Sequence, residues 1–239
     1  MSVDCSIIVP AYNEETLLAE TLGLLKVAMA AHALQGELIV VDNNSTDRTG
    51  EIARGLGARV VFEPINQISR ARNAGARVAQ GRYLVFVDAD TRIAPELLGQ
   101  ALDNLDSGRC CGGGAVVVLD AGMHYGARLV LRLWNWISVR LGLAAGCFFY
   151  CRRDDFDRCG GFSEQVYASE EIWLSRCLKR VGRKDGRHFR VIGAPGALSS
   201  GRKLHWYGHG AQLLLLLALL LFPFLVRYKR FCGFWYRRP

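Results

Sequence analysis

Tyr83-Leu84-Val85-Phe86-Val87-Asp88-Ala89-Asp90 is an apolar run that stops on two carboxylates one residue apart. Side chains at i and i+2 of an extended chain share a face, so Asp88 and Asp90 can aim at one point just past the strand end. An oxygen-only pair in that position favours Mg²⁺ or Mn²⁺, completed by phosphate and water, over thiolate-seeking metals. The other reading is a strand followed by a helix with an acidic first turn, Asp90 serving as N-cap ahead of Thr91 and Pro95. These eight residues alone support both.

Working outward, Cys5-Ser6-Ile7-Ile8-Val9-Pro10-Ala11 reads as a buried strand that runs into the polar turn Tyr12-Asn13-Glu14-Glu15. A helical pattern of Leu17, Leu18, Leu22 and Leu25 follows. Glu37 to Val41 repeats the design, with Asp42-Asn43-Asn44-Ser45-Thr46-Asp47 as terminal loop and a helix over residues 48–56 closed by Gly57. A short strand over 58–62 and a helix over 68–79, stopped by Gly81, lead into the strand that ends at Asp88. Strands alternating with helices predict an α/β fold, a Rossmann-like, mostly parallel sheet flanked by helices with right-handed crossovers. Its polar loops emerge along one edge, where open α/β sheets bind ligands. Here each loop carries Asp, Asn or Glu.

Four segments, Val9-Pro10-Ala11-Tyr12-Asn13-Glu14-Glu15, Val41-Asp42-Asn43-Asn44-Ser45-Thr46-Asp47-Arg48-Thr49, Ala71-Arg72-Asn73-Ala74-Gly75-Ala76 and Val87-Asp88-Ala89-Asp90, resemble in order and spacing the motifs of GT-A fold, family 2 inverting glycosyltransferases of the small membrane-associated type. The resemblance covers roughly residues 5–205. It implies transfer of a sugar from a nucleotide diphosphate sugar donor, with inversion at the anomeric carbon. It places Pro10, Ala11, Tyr12 and Glu14 around the nucleoside, Asp42 as acceptor of a hydrogen bond from the base, Arg72 near base and phosphates, and Asp88 and Asp90 around ribose and metal. The chemistry agrees, because a pyrophosphate leaving group needs its developing charge neutralised and a carboxylate-held cation does this without proton transfer.

In the second half, Gly160-Gly161-Phe162-Ser163-Glu164 precedes Ser169-Glu170-Glu171-Ile172-Trp173. The family usually has a Gly-Gly-Phe turn before a Glu-Asp pair at a helix start, whereas this chain has Glu-Glu. An inverting transferase needs a carboxylate to accept the acceptor hydroxyl proton, and a helix N-terminus holds one in place. Glu171 stands where the Asp is usual and is the preferred base, with Glu170 the second choice. The alternative is that both only complement the helix dipole, as Arg176 and Arg180 would at the far end. Farther on, Arg202, Lys203 and His205 are candidates to close over the pyrophosphate, His205 also as a third metal ligand; beside Trp206 and Tyr207 it also fits an interfacial residue. The Gln-x-x-Arg-Trp motif of processive synthases is absent, which points to addition of a single sugar.

This reading divides the chain into a nucleotide-sugar-binding half (1–105), an acceptor-binding half (106–204) and a hydrophobic, basic segment (205–239). No signal peptide precedes the first strand, so the expected site is the cytosolic face of a membrane, in a bacterium the inner membrane. The eight cysteines, including adjacent Cys110 and Cys111, are irregularly spaced and read as buried or free thiols. Gly112-Gly113-Gly114 lacks the following Lys of a P-loop and marks a bend or a close approach of the backbone.

Of the 30 basic residues nine lie from Arg187 onward, where none of the 22 acidic ones falls, so the net charge of +8 belongs to the C-terminal segment. There it flanks a leucine-rich stretch over 211–226 and an aromatic tail of Phe234, Trp235 and Tyr236. That mixture suits an anionic membrane surface and argues against nucleic acid, which has no use for a leucine run. Residues 207–226 approach the length of about 20 needed to cross, but Gly208, Gly210 and Pro223 interrupt the ends. A single crossing would also export a basic tail, so a shallow or hairpin-like insertion fits better. Residues 125–143, with Arg128, Arg132 and Arg140 among Leu129, Leu133, Trp134 and Trp136, read either as a second interfacial helix or as an ordinary helix packed on the sheet. A lipid-linked acceptor follows from this location. Two other functions are a non-catalytic sugar-nucleotide scaffold or sensor, which the Glu-Glu pair would permit, and a nucleotidyltransferase, against which stands the lack of a basic, Gly-rich phosphate loop after the first strand.

Overall fold

The computed structural model describes residues 3–120, 125–144, 146–202 and 226–232. One sheet of eight strands runs through them in the order β3-β2-β1-β4-β7-β6-β8-β5. The first half builds it as the hydrophobic pattern predicts: β1 (Cys5–Ala11), α1 (Leu18–Ala31), β2 (Gly36–Asp42), α2 (Thr49–Gly55), β3 (Arg59–Phe62), α3 (Ile68–Val78) and β4 (Tyr83–Val87). These four strands pair in parallel. The second half adds β5 (Thr91–Arg92), α4 (Pro95–Asp106), β6 (Cys110–Leu119), α5 (Tyr125–Leu141), β7 (Phe148–Arg152), α6 (Arg153–Cys159), α7 (Glu170–Lys184) and β8 (His188–Ser199). Here β7 runs antiparallel to both β4 and β6, and β5 antiparallel to β8, so the sheet is mixed.

Both faces of the sheet are covered at its centre, where β1 and β4 are buried along their whole length. Side chains alternate along β1 and β4: Ile7, Val9, Tyr83, Val85 and Val87 pack with Leu18, Leu22, Leu25 and Leu98 on one face. Ile8, Leu84 and Phe86 pack on the other with Phe149, Phe156, Phe162, Leu174 and Leu178. Buried Leu18, Thr21, Leu22, Leu25 and Ala28 form the inward stripe of α1 at helical spacing. On α3 Ala71, Ala74 and Gly75 are buried among the sheet residues, and a Cβ at Gly75 would stand 2.4 Å from Ile8 Cγ2, so this helix lies close on the sheet. The glycine triplet lies within β6, and its close approach is to neighbouring strands: a Cβ at Gly113 would fall 1.8 Å from the Arg190 carbonyl oxygen.

Two local expectations change. Asp90 does not cap a helix, because Thr91–Arg92 pairs with Leu198 and Ser199 and α4 starts only at Pro95, with Ala94 as N-cap. The last turn of α7 carries Arg183 and Lys184, which leaves Arg176 and Arg180 mid-helix. All eight cysteines are free thiols. Among the described residues no helix is long and apolar enough to cross a membrane. His205 and nearly all of the leucine-rich stretch lie outside the described residues.

Candidate active site

The parallel register sets Ala11 beside Asp42 and Ile8 beside Phe86, so the loops after β1, β2 and β4 share one edge. Each is held by its own polar side chains. Asn13, at φ 50°, accepts the Thr46 N–H through Oδ1 (2.8 Å) while its own N–H donates to Ser45 Oγ (3.1 Å). Asp42 Oδ1 accepts the Ser45 N–H at 2.9 Å. Asp47 accepts the Thr49 hydroxyl and N–H, and although burial pushes its carboxyl up, these bonds and one from Glu15 N–H leave it below the usual range. Glu14 donates its N–H to Thr49 Oγ1, which fixes this buried carboxylate at the edge. Pro10 and Ala11 are the buried end of β1, and Tyr12 follows half-buried.

The second half brings its residues to the same edge by antiparallel pairing. Val87 faces Phe148, and Asp88 N–H donates to the Cys147 carbonyl at 3.1 Å, which lays Gly146 next to Asp88. Thr91 faces Ser199, and Ser200 N–H donates to the Asp90 carbonyl at 3.0 Å, which delivers Arg202 to Asp90.

At the centre is Arg72, fully buried on α3. Its Nη1 donates to Glu170 Oε1 (2.8 Å) and Glu171 Oε1 (2.6 Å); its Nη2 donates to Asp88 Oδ1 (2.9 Å) and the Gly146 carbonyl (2.8 Å). The guanidinium also stands 5.2 Å from the centre of the Phe162 ring. Burial alone would lower the Arg72 pKa, but the charges of Glu171, Asp88 and Glu170 raise it, so it stays cationic. For Glu170, burial and then the neighbouring Glu171 charge push the carboxyl well above 4.5, against the pull of Arg72. The side chain of Glu171 is 11% exposed and that of Glu170 2%. Both are buried ion-pair partners, which goes beyond complementing the dipole of α7. Gly146 is required here: a Cβ would stand 2.4 Å from Glu171 Oε1.

The second cation is Arg202, whose Nη2 meets Glu14 Oε2 and lies 3.5 Å from Asp90 Oδ2. The strand-end carboxylates thus each have an arginine: Asp88 has Arg72, and Asp90 has Arg202. Asp42 and Tyr12 sit on the same edge. Among the described residues no group of three or more His, Cys, Asp or Glu is placed to hold a metal ion.

Residue-level reading of the sequence left two supports without a role. Asn73 Nδ2 donates to the Phe162 carbonyl (2.9 Å) and its Oδ1 accepts the Phe162 N–H (2.9 Å). Gln67 Nε2 donates to the carbonyls of Glu164 (2.8 Å) and Val166 (2.9 Å). Together they suspend the 160–169 loop from α3 and aim the start of α7 at Arg72. The signal was adjacency: Asn73 follows Arg72 in a motif already singled out.

A mixed α/β sheet with two strand-end carboxylates and two further carboxylates at a facing helix start is the architecture of the GT-A fold. Residues 6–160 match the model of the family described as Glycosyl transferase family 2, and the chain belongs to that family. Among its curated relatives, the uncharacterized glycosyltransferase EpsJ of Bacillus subtilis is 37% identical over 95 residues, 37% of this chain and 26% of that protein. The dolichol-phosphate mannosyltransferase of Pyrococcus furiosus is 32% identical over 108 residues, 43% of this chain and 30% of its own length. The chain thus spans about a third or less of these relatives. The solved mannosyltransferase PcManGT from Pyrobaculum calidifontis, in complex with GDP-Man and Mn²⁺, has the same fold with a TM-score of 0.62 at 21% identity, covering 90% of this chain and 65% of its own.

Proposed function

We propose that this chain is an inverting glycosyltransferase that moves a single sugar from a nucleotide diphosphate sugar to an acceptor hydroxyl at a membrane surface. The observation that carries this reading is that Asp88, on the donor edge, and Glu171, at the start of α7, share one guanidinium at 2.9 and 2.6 Å. A donor-side carboxylate and a base separated only by Arg72 match a displacement in which leaving group and nucleophile occupy opposite sides of one carbon. Glu171 is the base: its side chain is 11% exposed and within reach of an acceptor hydroxyl, whereas that of Glu170 is only 2% exposed.

On the donor side, Pro10, Ala11, Tyr12, Glu14 and Asp42 line the nucleoside, and Arg202 stands toward the pyrophosphate. Arg202 would exchange its carboxylate partners for phosphate oxygens. Arg72 is too deep for the base of the nucleotide and instead positions Asp88 and Glu171. Asp88 and Asp90 offer hard oxygen donors two residues apart, which fit Mg²⁺ or Mn²⁺ with the remaining positions left to phosphate and water. When bound there, such a cation supplies charge neutralisation to the departing nucleoside diphosphate.

The named activity of the Pyrococcus relative supports a lipid-linked acceptor. The basic, leucine-rich C-terminal segment supports an anionic membrane face, on the cytosolic side, as the place of reaction. Donor hydrolysis by the whole chain, measured with a panel of UDP- and GDP-sugars in Mn²⁺ and in EDTA, tests the reading. Hydrolysis of one donor, lost in EDTA and in Asp90→Ala, is expected; full activity of Asp90→Ala in EDTA would remove the metal assignment, and no turnover with any donor would remove the enzyme.

A further inference from the structure

Helix α5 turns a broad apolar face outward. Its sheet side holds polar residues: Asn135 Nδ2 donates to the Val117 carbonyl (2.8 Å), Asn135 Oδ1 accepts the Val117 N–H (3.1 Å), and fully buried Ser138 donates to the Leu143 carbonyl. Leu131, Trp134 and Ile137 are half-buried there as well, but the larger share of its apolar residues looks outward. Leu129, Leu133, Trp136 and Leu141 are each 55–59% exposed, and Val130 and Val139 nearly as much. A soluble helix has the opposite polarity, and a monomer rarely leaves so many large apolar side chains together on its surface.

The charge around this face has one sign. Arg128, Arg132 and Arg140 are exposed among the apolar residues, and no Asp or Glu occurs from residue 121 to residue 153. The Arg140 guanidinium lies 5.8 Å from the centre of a Trp136 ring. Aliphatic residues, tryptophan and arginine without carboxylates are the composition of a helix lying in a bilayer interface, its arginines at the headgroups. The place in the fold agrees. Asp120, the residue after β6, accepts the Gly201 N–H through Oδ1 at 2.8 Å, and its own N–H donates to the Ser199 carbonyl. The chain therefore departs toward α5 and toward the leucine-rich stretch from two hydrogen-bonded neighbours. At its other end α5 leads within a few residues to Gly146, whose carbonyl holds Arg72.

We propose that the outward face of α5 is a docking surface for an anionic bilayer, separate from the C-terminal segment and held against the sheet edge beside the candidate active site. It goes beyond the transferase reading, and its test does not use turnover. The whole chain is floated with vesicles of phosphatidylcholine alone or with 30% phosphatidylglycerol, as about one third anionic lipid. Leu133→Ser/Trp136→Ser is expected to lower partitioning on anionic vesicles about tenfold with an unchanged melting temperature. Arg128→Gln/Arg132→Gln should lower it about fivefold per arginine on anionic vesicles and leave neutral ones unaffected. Bromine-labelled lipid should quench less total emission in Trp136→Phe than in the parent. Unchanged partitioning and quenching would overturn the proposal. So would a fall in melting temperature with the Ser pair, which would mean that the chain itself covers α5, or loss of a dimer without loss of vesicle binding, which would make the face an interface between copies.

Discussion

Arg72 and Arg202 serve neighbouring carboxylates of one strand end and differ chiefly in depth. Arg72 has no exposed surface and binds Glu170, Glu171, Asp88 and the Gly146 carbonyl. Arg202 keeps 22% of its side chain exposed and meets Glu14 and Asp90. In the interior an ion pair cannot be exchanged without leaving a charge bare, so Arg72 and its three carboxylates move as a unit or not at all. Arg202 keeps contact with water although Glu14 and Asp90 are themselves buried, so its guanidinium can turn to a new partner more readily than that of Arg72. Depth separates an arginine that builds the site from one that can change partners.

Arg72→Met should break the comparison most severely. It leaves three carboxylates facing a side chain that cannot pair with them, and a loss of about 3–5 kcal/mol is expected in urea denaturation. Activity should vanish with it. A variant of near-parental stability would show that the carboxylates find other partners and that depth is not what matters.

Glu171→Gln should lower turnover by roughly 10²- to 10⁴-fold, with donor affinity by calorimetry nearly unchanged. The amide keeps the hydrogen bond geometry with less charge on Arg72. Should Glu170→Gln be the dead variant and Glu171→Gln active, the roles within the pair are reversed.

Arg202→Gln should reduce kcat/KM for the donor by roughly 10²-fold and cost less stability in urea denaturation than Arg72→Met, because its guanidinium keeps contact with water. A stability loss equal to that of Arg72→Met would erase the distinction between the two arginines.

The smallest effect concerns pH. Because the folded protein holds the Glu170 carboxyl above its ordinary 4.5, the native state binds more protons than the unfolded one as pH rises past that value. Stability contributed by this group is therefore full below about pH 4.5 and declines on the way up to its raised folded pKa. Glu170→Gln should flatten that decline and raise the melting temperature near neutrality. An unchanged slope would mean that Arg72 keeps Glu170 ionised.

The strands of the first half were legible because each is an apolar run closed by a polar loop, and a parallel sheet has few other ways to bury such runs. Asp88 and Asp90 were legible for the same reason, as charges at the end of a buried strand. The mixed half of the sheet was not: β7 lies between β4 and β6 through pairings of distant segments, which local pattern does not encode. Nor was the alternative role of Asp90 as a cap excluded until β8 was seen to pair with Thr91–Arg92.

By itself the sequence determined the α/β class, the donor edge and the family, since these depend on periodicity and on short motifs whose members are close in the chain. Only the tertiary structure decided the depth of Arg72, whose acidic partners Glu170 and Glu171 stand 98 and 99 residues away. An arginine beside alanines on a helix reads as solvated until its partners are known, because burying a charge is tolerable only where folding supplies opposite charges within hydrogen-bond reach.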